Sequence, residues 1–345
     1  MHVFSAGRVG SFGEGFRVAD RRGFQVIMSL IERLFRPGRP AGWSAVEATA
    51  EGLFGVSVAP PESPGGKPRV MACADLPGMV LEAPALEALA QKLGALDAAW
   101  TMPLERKTYT ILVIEEPAVR PEEMAESVRW AINTMIDFPV AEASVAWMRI
   151  PTEKLLPNRA PHIYVMATKQ QLVRQYEEAF ETARLRLRAV DVQETAQRNI
   201  AALCAKEGEG VALLSVGHRG VQLTITFGGE LYLDRHVDEF VFGDGADEAV
   251  VDRALERVVL QVQRSLDFVG RTLPFIDIQR LLLAPLPGDS PLLERITENL
   301  PVAVEALNLD SVFDFSHTPQ LRDGVAQANY FVALGSALRF MEGAA

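Results

Sequence analysis

From Trp43 onward the chain alternates short apolar runs with stretches whose apolar residues recur every three or four positions. Residues 45–49, 53–59 and 69–74 are rich in Val, Phe and Ala. Turn residues at Glu51-Gly52 and between Pro60 and Pro68 separate them, which predicts a three-stranded meander. Leu86, Leu89, Ala90 and Leu93 share one face of a helix predicted at 85–93. The β-branched run at 109–114 predicts a strand buried on both faces.

Residues 117–187 follow a pattern of their own. Pro121-Glu122-Glu123 opens a helix carrying Met124, Val128, Ile132 and Met135, its acids suited to the N-terminal dipole, and Asp137-Phe138-Pro139 ends it. Strands are predicted at 143–150 and 162–167. A helix at 169–186 then lines up Leu172, Tyr176, Phe180, Ala183 and Leu187. Helix, strand, strand, helix predicts a small α+β insertion.

A helix bearing Val192, Ala196, Ile200 and Leu203 leads into a second meander at 210–215, 220–227 and 230–237. A long amphipathic helix at 247–270, a strand at 280–283, a helix at 291–300, a strand at 302–304 and a C-terminal helix at 326–340 complete the pattern. Meander, helix, strand and helix thus occur twice, an internal duplication of architecture. The organisation read from this is a leader at 1–42, a first lobe at 43–206 containing the insertion, and a second lobe at 207–345.

Charge changes the picture. The 345 residues carry a formal net charge of −11, unevenly spread. Residues 1–42 hold seven Arg and three acids, whereas residues 43–345 hold 27 Lys and Arg against 42 Asp and Glu, a balance of −15. A body that acidic repels phosphate backbones and excludes nucleic acid as a partner. Within the leader, Leu30, Ile31, Leu34 and Phe35 form a short apolar face beside Arg33 and Arg36. Residues 28–36 are therefore a candidate weak contact with an anionic membrane surface, or else a leader docked on its own domain or disordered. Met1 and Met28 are alternative starts. No apolar run approaches the ~18 residues of a membrane span. Two cysteines, Cys73 and Cys204, lie far apart in sequence and fit a reducing cytoplasm as small core residues.

Three segments carry a more specific likeness: PEEMAESVRWAINTMIDFPVAEASVAWMRIP from Pro121, HIYVMATKQQLVRQYEEAFETARLRLRAVDVQETAQRNIAAL from His162, and NYFVALGSALRF from Asn329. They resemble PilM-type assembly proteins, most of all the MshI branch of mannose-sensitive haemagglutinin pilus biogenesis. The resemblance runs from about Trp43 to Phe340. It implies an α/β, duplicated actin-like (ribonuclease H-like) fold of the PilM, FtsA and GspL kind, with the α+β insertion in its first lobe.

In that family ATP and Mg²⁺ lie between the lobes, held by an Asp-Ile-Gly-Ser-type loop, a second Asp-x-Gly loop and a Gly-Gly-x-Ala loop under the adenosine. Asp coordinates Mg²⁺ and its waters, while glycines let backbone N–H groups approach phosphate. The resemblance places Glu47 and Thr49 at the first loop, with a further acid at Glu51. It places Ser215, Gly217 and Gly220 at the second, and Ala284-Pro285 at the third. All three depart from the pattern, which implies an empty or weakened site, no catalytic residue and no required cofactor. ATP and Mg²⁺ binding through altered loops is the alternative. By the same resemblance, the groove between the first lobe and its insertion takes an extended N-terminal peptide from a PilN-like inner-membrane assembly protein and connects it to the pilus motor ATPase. Trp130, Asn133, Phe138 and Trp147 are candidate groove or interface residues, with core burial the competing reading for both tryptophans. The implied role is a non-catalytic cytoplasmic scaffold held at the inner membrane through its partner.

Other chemistry is weaker. A Walker loop is absent, and Leu213 breaks a Gly-x-Ser-x-Gly match at Ser215. The five histidines have no pair at metal-ligand spacing. His218-Arg219 sits in a turn, where a solvated role outweighs phosphate contact. Arg174, Arg184, Arg186 and Arg188 read as a solvated basic strip of the second insertion helix, with an acidic or lipid partner as the sharper reading.

Overall fold

The computed structural model describes residues 42–152, 160–217, 220–237, 248–286, 288 and 291–339. The leader with its 28–36 segment and the His218-Arg219 turn lie outside the described residues. The first lobe opens with the predicted meander, β1 (Trp43–Thr49), β2 (Gly52–Ala59) and β3 (Arg69–Pro77), followed by α1 (Ala83–Leu93). Its sheet is completed by β4 (Ala99–Pro103) and β8 (Arg186–Asp191) in the order β3-β2-β1-β4-β8, with β4 parallel to both β1 and β8. The second lobe repeats this with β9 (Gly210–Gly217), β10 (Gly220–Phe227), β11 (Glu230–Val237), β12 (Ile278–Leu283) and β13 (Ala303–Ala306), in the order β11-β10-β9-β12-β13. In each sheet an antiparallel meander is extended by two parallel strands, so the duplication expected from the hydrophobic pattern is present.

A third sheet is built from β5 (Tyr109–Glu115), β6 (Ala143–Ile150) and β7 (His162–Lys169) in the order β5-β7-β6, with α2 (Met124–Ile132) over it. Alternation along its strands makes two apolar faces. Leu112, Ile114, Val145, Ile163 and Val165 pack with Met124, Val128 and Ile132 of α2. Tyr109, Ile150, Tyr164 and Met166 face the other way and join a core containing Leu231, Tyr232 and Leu233 of β11. The Tyr232 hydroxyl donates to the Pro151 carbonyl at 3.1 Å. The insertion is thus packed onto the second lobe as well as being threaded through the first.

Its boundaries differ from 117–187 at both ends. The run at 109–114 belongs to the insertion sheet, where Val113 is 48% exposed, so it is not buried on both faces, and the strand beside β1 is β4. Trp100 anchors β4, fully buried, with its indole N–H on the Ala95 carbonyl at 3.1 Å. The second insertion helix, α3 (Gln170–Thr182), carries Phe180 into the first lobe's core beside Trp100, Leu86 and Leu89, so it serves that lobe. It ends at Arg184, which has φ of 55°, and the following Arg-Leu-Arg-Ala-Val alternation forms β8. Arg186 and Arg188 are exposed on an edge strand and lie outside any helix. Cys73 and Cys204 are half-buried free thiols at the margin of one core, and the Gln320 amide donates to the Cys73 sulfur.

The lobes are joined by an exchange of helices. α4 (Gln193–Cys204) leaves the first lobe and packs on β9, β10 and β11. The C-terminal segment resolves into α7 (Gly324–Asn329) and α8 (Phe331–Ser336), and α8 packs back on β1, β2 and β4. Where α4 and α8 cross, a Cβ on Gly335 would stand 2.2 Å from the Ala196 carbonyl oxygen. The Asn199 amide donates to the Gly335 carbonyl at 3.0 Å, and Arg339 Nε lies 3.0 Å from the fully buried Asp191 Oδ2. Burial alone would raise the Asp191 pKa. The Arg339 guanidinium, aided by bonds from Thr195 and the Val192 N–H, holds it below the usual range.

Replacing Gly335 by Ala puts a methyl group where the α4 backbone stands, so Gly335→Ala should lower stability by about 1–3 kcal/mol. Urea unfolding followed by far-UV dichroism measures this, with Gly270→Ala as control, because a Cβ there meets open space. An unchanged midpoint for Gly335→Ala would show that the crossing tolerates separation.

Candidate functional site: the interlobe cleft and the insertion face

The β1–β2 connection consists of Ala50 and Glu51 alone, since Thr49 pairs directly with Gly52. Thr49 Oγ1 donates to the Gly52 carbonyl at 3.3 Å and accepts the Glu51 N–H at 3.2 Å. The Glu51 carbonyl accepts the Gly78 N–H at 2.7 Å, and the Glu51 side chain is exposed. Glu47 is half-buried on β1 opposite Phe54. The hairpin therefore spends a backbone donor on its own threonine and presents a carboxylate at its tip.

On β9 of the second lobe, Ser215 Oγ donates to Gln197 Oε1 at 2.6 Å. The Gln197 amide in turn donates to the Leu213 carbonyl at 2.6 Å and to Thr224 Oγ1 at 3.0 Å. Gln197 projects from α4, so the connecting helix itself occupies the floor behind Ser215. Gly220 has φ of 128°, and a Cβ there would stand 2.2 Å from the Val237 carbonyl, so close packing against β11 accounts for this glycine. Gly217 faces open space. Ala284 is buried and its N–H donates to the Leu214 carbonyl at 2.8 Å, continuing the β9–β12 ladder, with Pro285 next to it half-buried. The residues at these three positions do not fit a Mg-nucleotide held as in the actin-like pattern: donors are engaged, glycine is replaced by Thr and Ala, and the acid at the tip repels phosphate.

A buried polar cluster at the start of α4 was not legible in the sequence. Glu194 on α4 is fully buried, accepts the Tyr109 hydroxyl at 2.5 Å and lies 3.4 Å from Arg106 Nε. Burial raises its pKa against the pull of Arg106 and the Tyr109 bond. Asp234 on β11 accepts the Gln222 amide, and Gln222 Oε1 lies 3.0 Å from His236 Nδ1. Removal from water, and then the charge of Glu194, pushes the Asp234 carboxyl up to about 8. The one sequence signal was polar residues Glu194 and Gln197 three apart on a helix whose apolar stripe was already assigned. Among the described residues no group of three or more His, Cys, Asp or Glu side chains is arranged to hold a metal ion.

On the insertion, Trp130 is 83% exposed, which overturns core burial for it. Met124, Val128 and Ile132 occupy the buried face of α2, and two residues beyond Val128 the helix turns roughly 200° away. Asn133 is exposed beside it, and Met135 is 46% exposed just past the helix. Phe138 is half-buried, with Lys169 Nζ 6.0 Å from its ring centroid. Trp147 is half-buried and packs against the insertion core. The four candidates thus divide into two exposed side chains on α2's outer side and two that serve the core beneath.

No protein-family model matches the chain, and no curated protein matches it. Among solved structures it is similar to a PilM–PilN type IV pilus biogenesis complex, at 20% identity over 87% of this chain and 98% of that chain, with a TM-score of 0.67. Lesser similarities are to a Bacteroides thetaiotaomicron protein with an actin-like ATPase fold (11% identity, 82% and 96% covered, TM-score 0.46) and to the cytoplasmic domain of EpsL, an inner-membrane component of the Vibrio cholerae type II secretion system (11% identity, 77% and 89% covered, TM-score 0.47). The chain has the PilM-like, actin-like fold.

Asp234 gives this region a pH dependence. Its folded-state pKa lies above the ordinary carboxylate value of about 3.9, so its contribution is complete below that value and is lost as pH rises through about 8. Urea midpoints of the protein and of Asp234→Asn, compared across that range, should diverge in favour of the variant as pH rises. A constant difference would show that Asp234 is already charged at the low end.

Proposed function

We propose that the chain is a non-catalytic actin-like scaffold of a type IV pilus assembly machine, MSHA-like in type, which holds the cytoplasmic N-terminal peptide of a PilN-like inner-membrane protein. The observation that carries this reading is the likeness to PilM over 98% of the length of that chain. The altered cleft supports the non-catalytic part: three loop positions are occupied by structural hydrogen bonds and sheet packing. No helix among the described residues is long and apolar enough to cross a membrane. On this reading the protein works in the cytoplasm and reaches the inner membrane through its partner, with the motor ATPase as a further contact.

The peptide site is assigned to the insertion and the groove beside it, with Trp130 and Asn133 as contact residues and Phe138 and Trp147 supporting them from below. An exposed Trp on a helix that is otherwise anchored offers a large apolar area at little entropic cost, the usual character of an interface hot spot. Backbone pairing along an extended peptide would supply the remainder, and a basic peptide would suit an acidic body. Deleting the whole insertion would also remove Phe180 from the first lobe's core, so a point substitution is the sound test.

Titration calorimetry with a synthetic peptide copying the N-terminal cytoplasmic segment of the PilN-like protein should give binding that Trp130→Ala weakens about ten-fold or more. Equal affinity would remove α2 from the site. In the same instrument Mg-ATP should give no heat. Micromolar binding abolished by Gly217→Val would overturn the non-catalytic reading.

A further inference from the structure

The longest helix, α5 (Glu248–Thr272), shows two unlike faces. Ala254, Leu255, Val258, Val262 and Val269 are buried in the second lobe's core. On the opposite side Val250, Arg253, Arg257, Leu260, Arg264, Phe268 and Arg271 follow one another at steps of three and four. That seam is about 33 Å long at the rise of an α-helix. Among the described residues none of its four arginines forms an ion pair, although the body of the chain carries 42 acids. Val250, Leu260 and Phe268 are 39, 44 and 45% exposed. Arg235 of β11 adds a fifth guanidinium, 5.6 Å from the Phe268 ring centroid.

A solvated helix face in an acidic protein would recruit nearby carboxylates to its arginines, as Arg295 of α6 (Leu292–Asn299) does with Asp252 of α5 at 2.8 Å. The seam keeps its cations open instead and sets apolar side chains between them. Two open concavities, of about 560 and 250 Å³, lie in line along it, the first lined by Val250, Arg253, Glu256, Arg257 and Leu260 and the second by Arg264, Asp267, Phe268, Arg271 and Thr272, so each holds two guanidinium groups against one carboxylate and stays net positive. A membrane-surface helix presents a broad apolar face to the bilayer. Here single apolar residues are interleaved with charge at the three-and-four spacing that meets the ridges of one other helix. A like seam on a second copy would set arginine against arginine.

We propose that the outer seam of α5 is a docking site for an acidic amphipathic helix of a partner protein, with carboxylates meeting Arg253, Arg257, Arg264 and Arg271 and apolar side chains entering the two concavities. This surface lies on the second lobe and is independent of the peptide site assigned to the insertion, so either can fail without the other. Electrostatic attraction would set the encounter rate and the apolar contacts the residence time.

The test is fluorescence anisotropy with the full chain and labelled synthetic helices as long as α5, bearing Glu and Leu at alternating three and four spacing in both registers. At physiological salt such a helix should bind at least about ten-fold more tightly than a scrambled peptide of equal composition. The double variant Arg257→Glu with Arg264→Glu should remove that advantage, and Leu260→Ser, which keeps every charge, should reduce it about three-fold or more. Equal binding of the scrambled peptide, retention by the double variant, or no binding would overturn the proposal. So would binding to vesicles of phosphatidylglycerol and phosphatidylethanolamine without binding of the helix. Concentration-dependent self-association that the double variant abolishes would likewise assign the seam to a second copy and overturn it.

Discussion

Everything else in the molecule hangs on the crossing of α4 and α8. Each helix belongs by sequence to one lobe and by packing to the other, and their backbones touch at Ala196 and Gly335 because position 335 has no side chain. The contact is closed by polar bonds that leave little slack: Asn199 to the Gly335 carbonyl, and Arg339 to an Asp191 that has no access to water. A buried carboxylate is tolerable only with a cation and donors around it. Arg339, Thr195 and the Val192 N–H provide these from both chain ends of the crossing.

Polar side chains close to this crossing serve the frame. Gln197 reaches from α4 to Ser215 and Thr224 and so joins the connecting helix to the second sheet. Glu194, one turn earlier, ties the same helix to Tyr109 at the root of the insertion. A tight β1–β2 hairpin and a β9–β12 ladder prolonged through Ala284 follow the same logic.

Much of the fold was legible because hydrophobic period reports which side of an element is dry. Both meanders, α1, α4, α5 and β12 follow it closely. The misreadings have local causes. β4, Ala-Trp-Thr-Met-Pro, has no β-branched run and no alternation, and only the burial of Trp100 by distant residues makes it a central strand. β8 was hidden because α3's stripe continues through Leu187 by spacing, while Arg184 in a left-handed conformation breaks the helix three residues earlier. The departures from the family's loop pattern could be read from residue types. Their new partners could not, because Ser215 and Gln197, or Gly220 and Val237, meet only after the sheets have formed. Trp130 was misjudged for a related reason: tryptophan's average burial outweighed its place opposite Val128 and Ile132 on the helical wheel.

The insertion's second attachment has a mechanical meaning. Through Tyr232, Pro151 and a shared apolar core it touches β11 while its chain ends are rooted beside β4. First lobe, insertion and second lobe thereby close a ring of three bodies, with the helix crossing as one joint and this packed face as another. An open pair of lobes could hinge about a single axis. A closed ring adds a second contact that any such hinge motion would have to break. In geometric terms the three bodies are arranged as a triangle, each touching the other two.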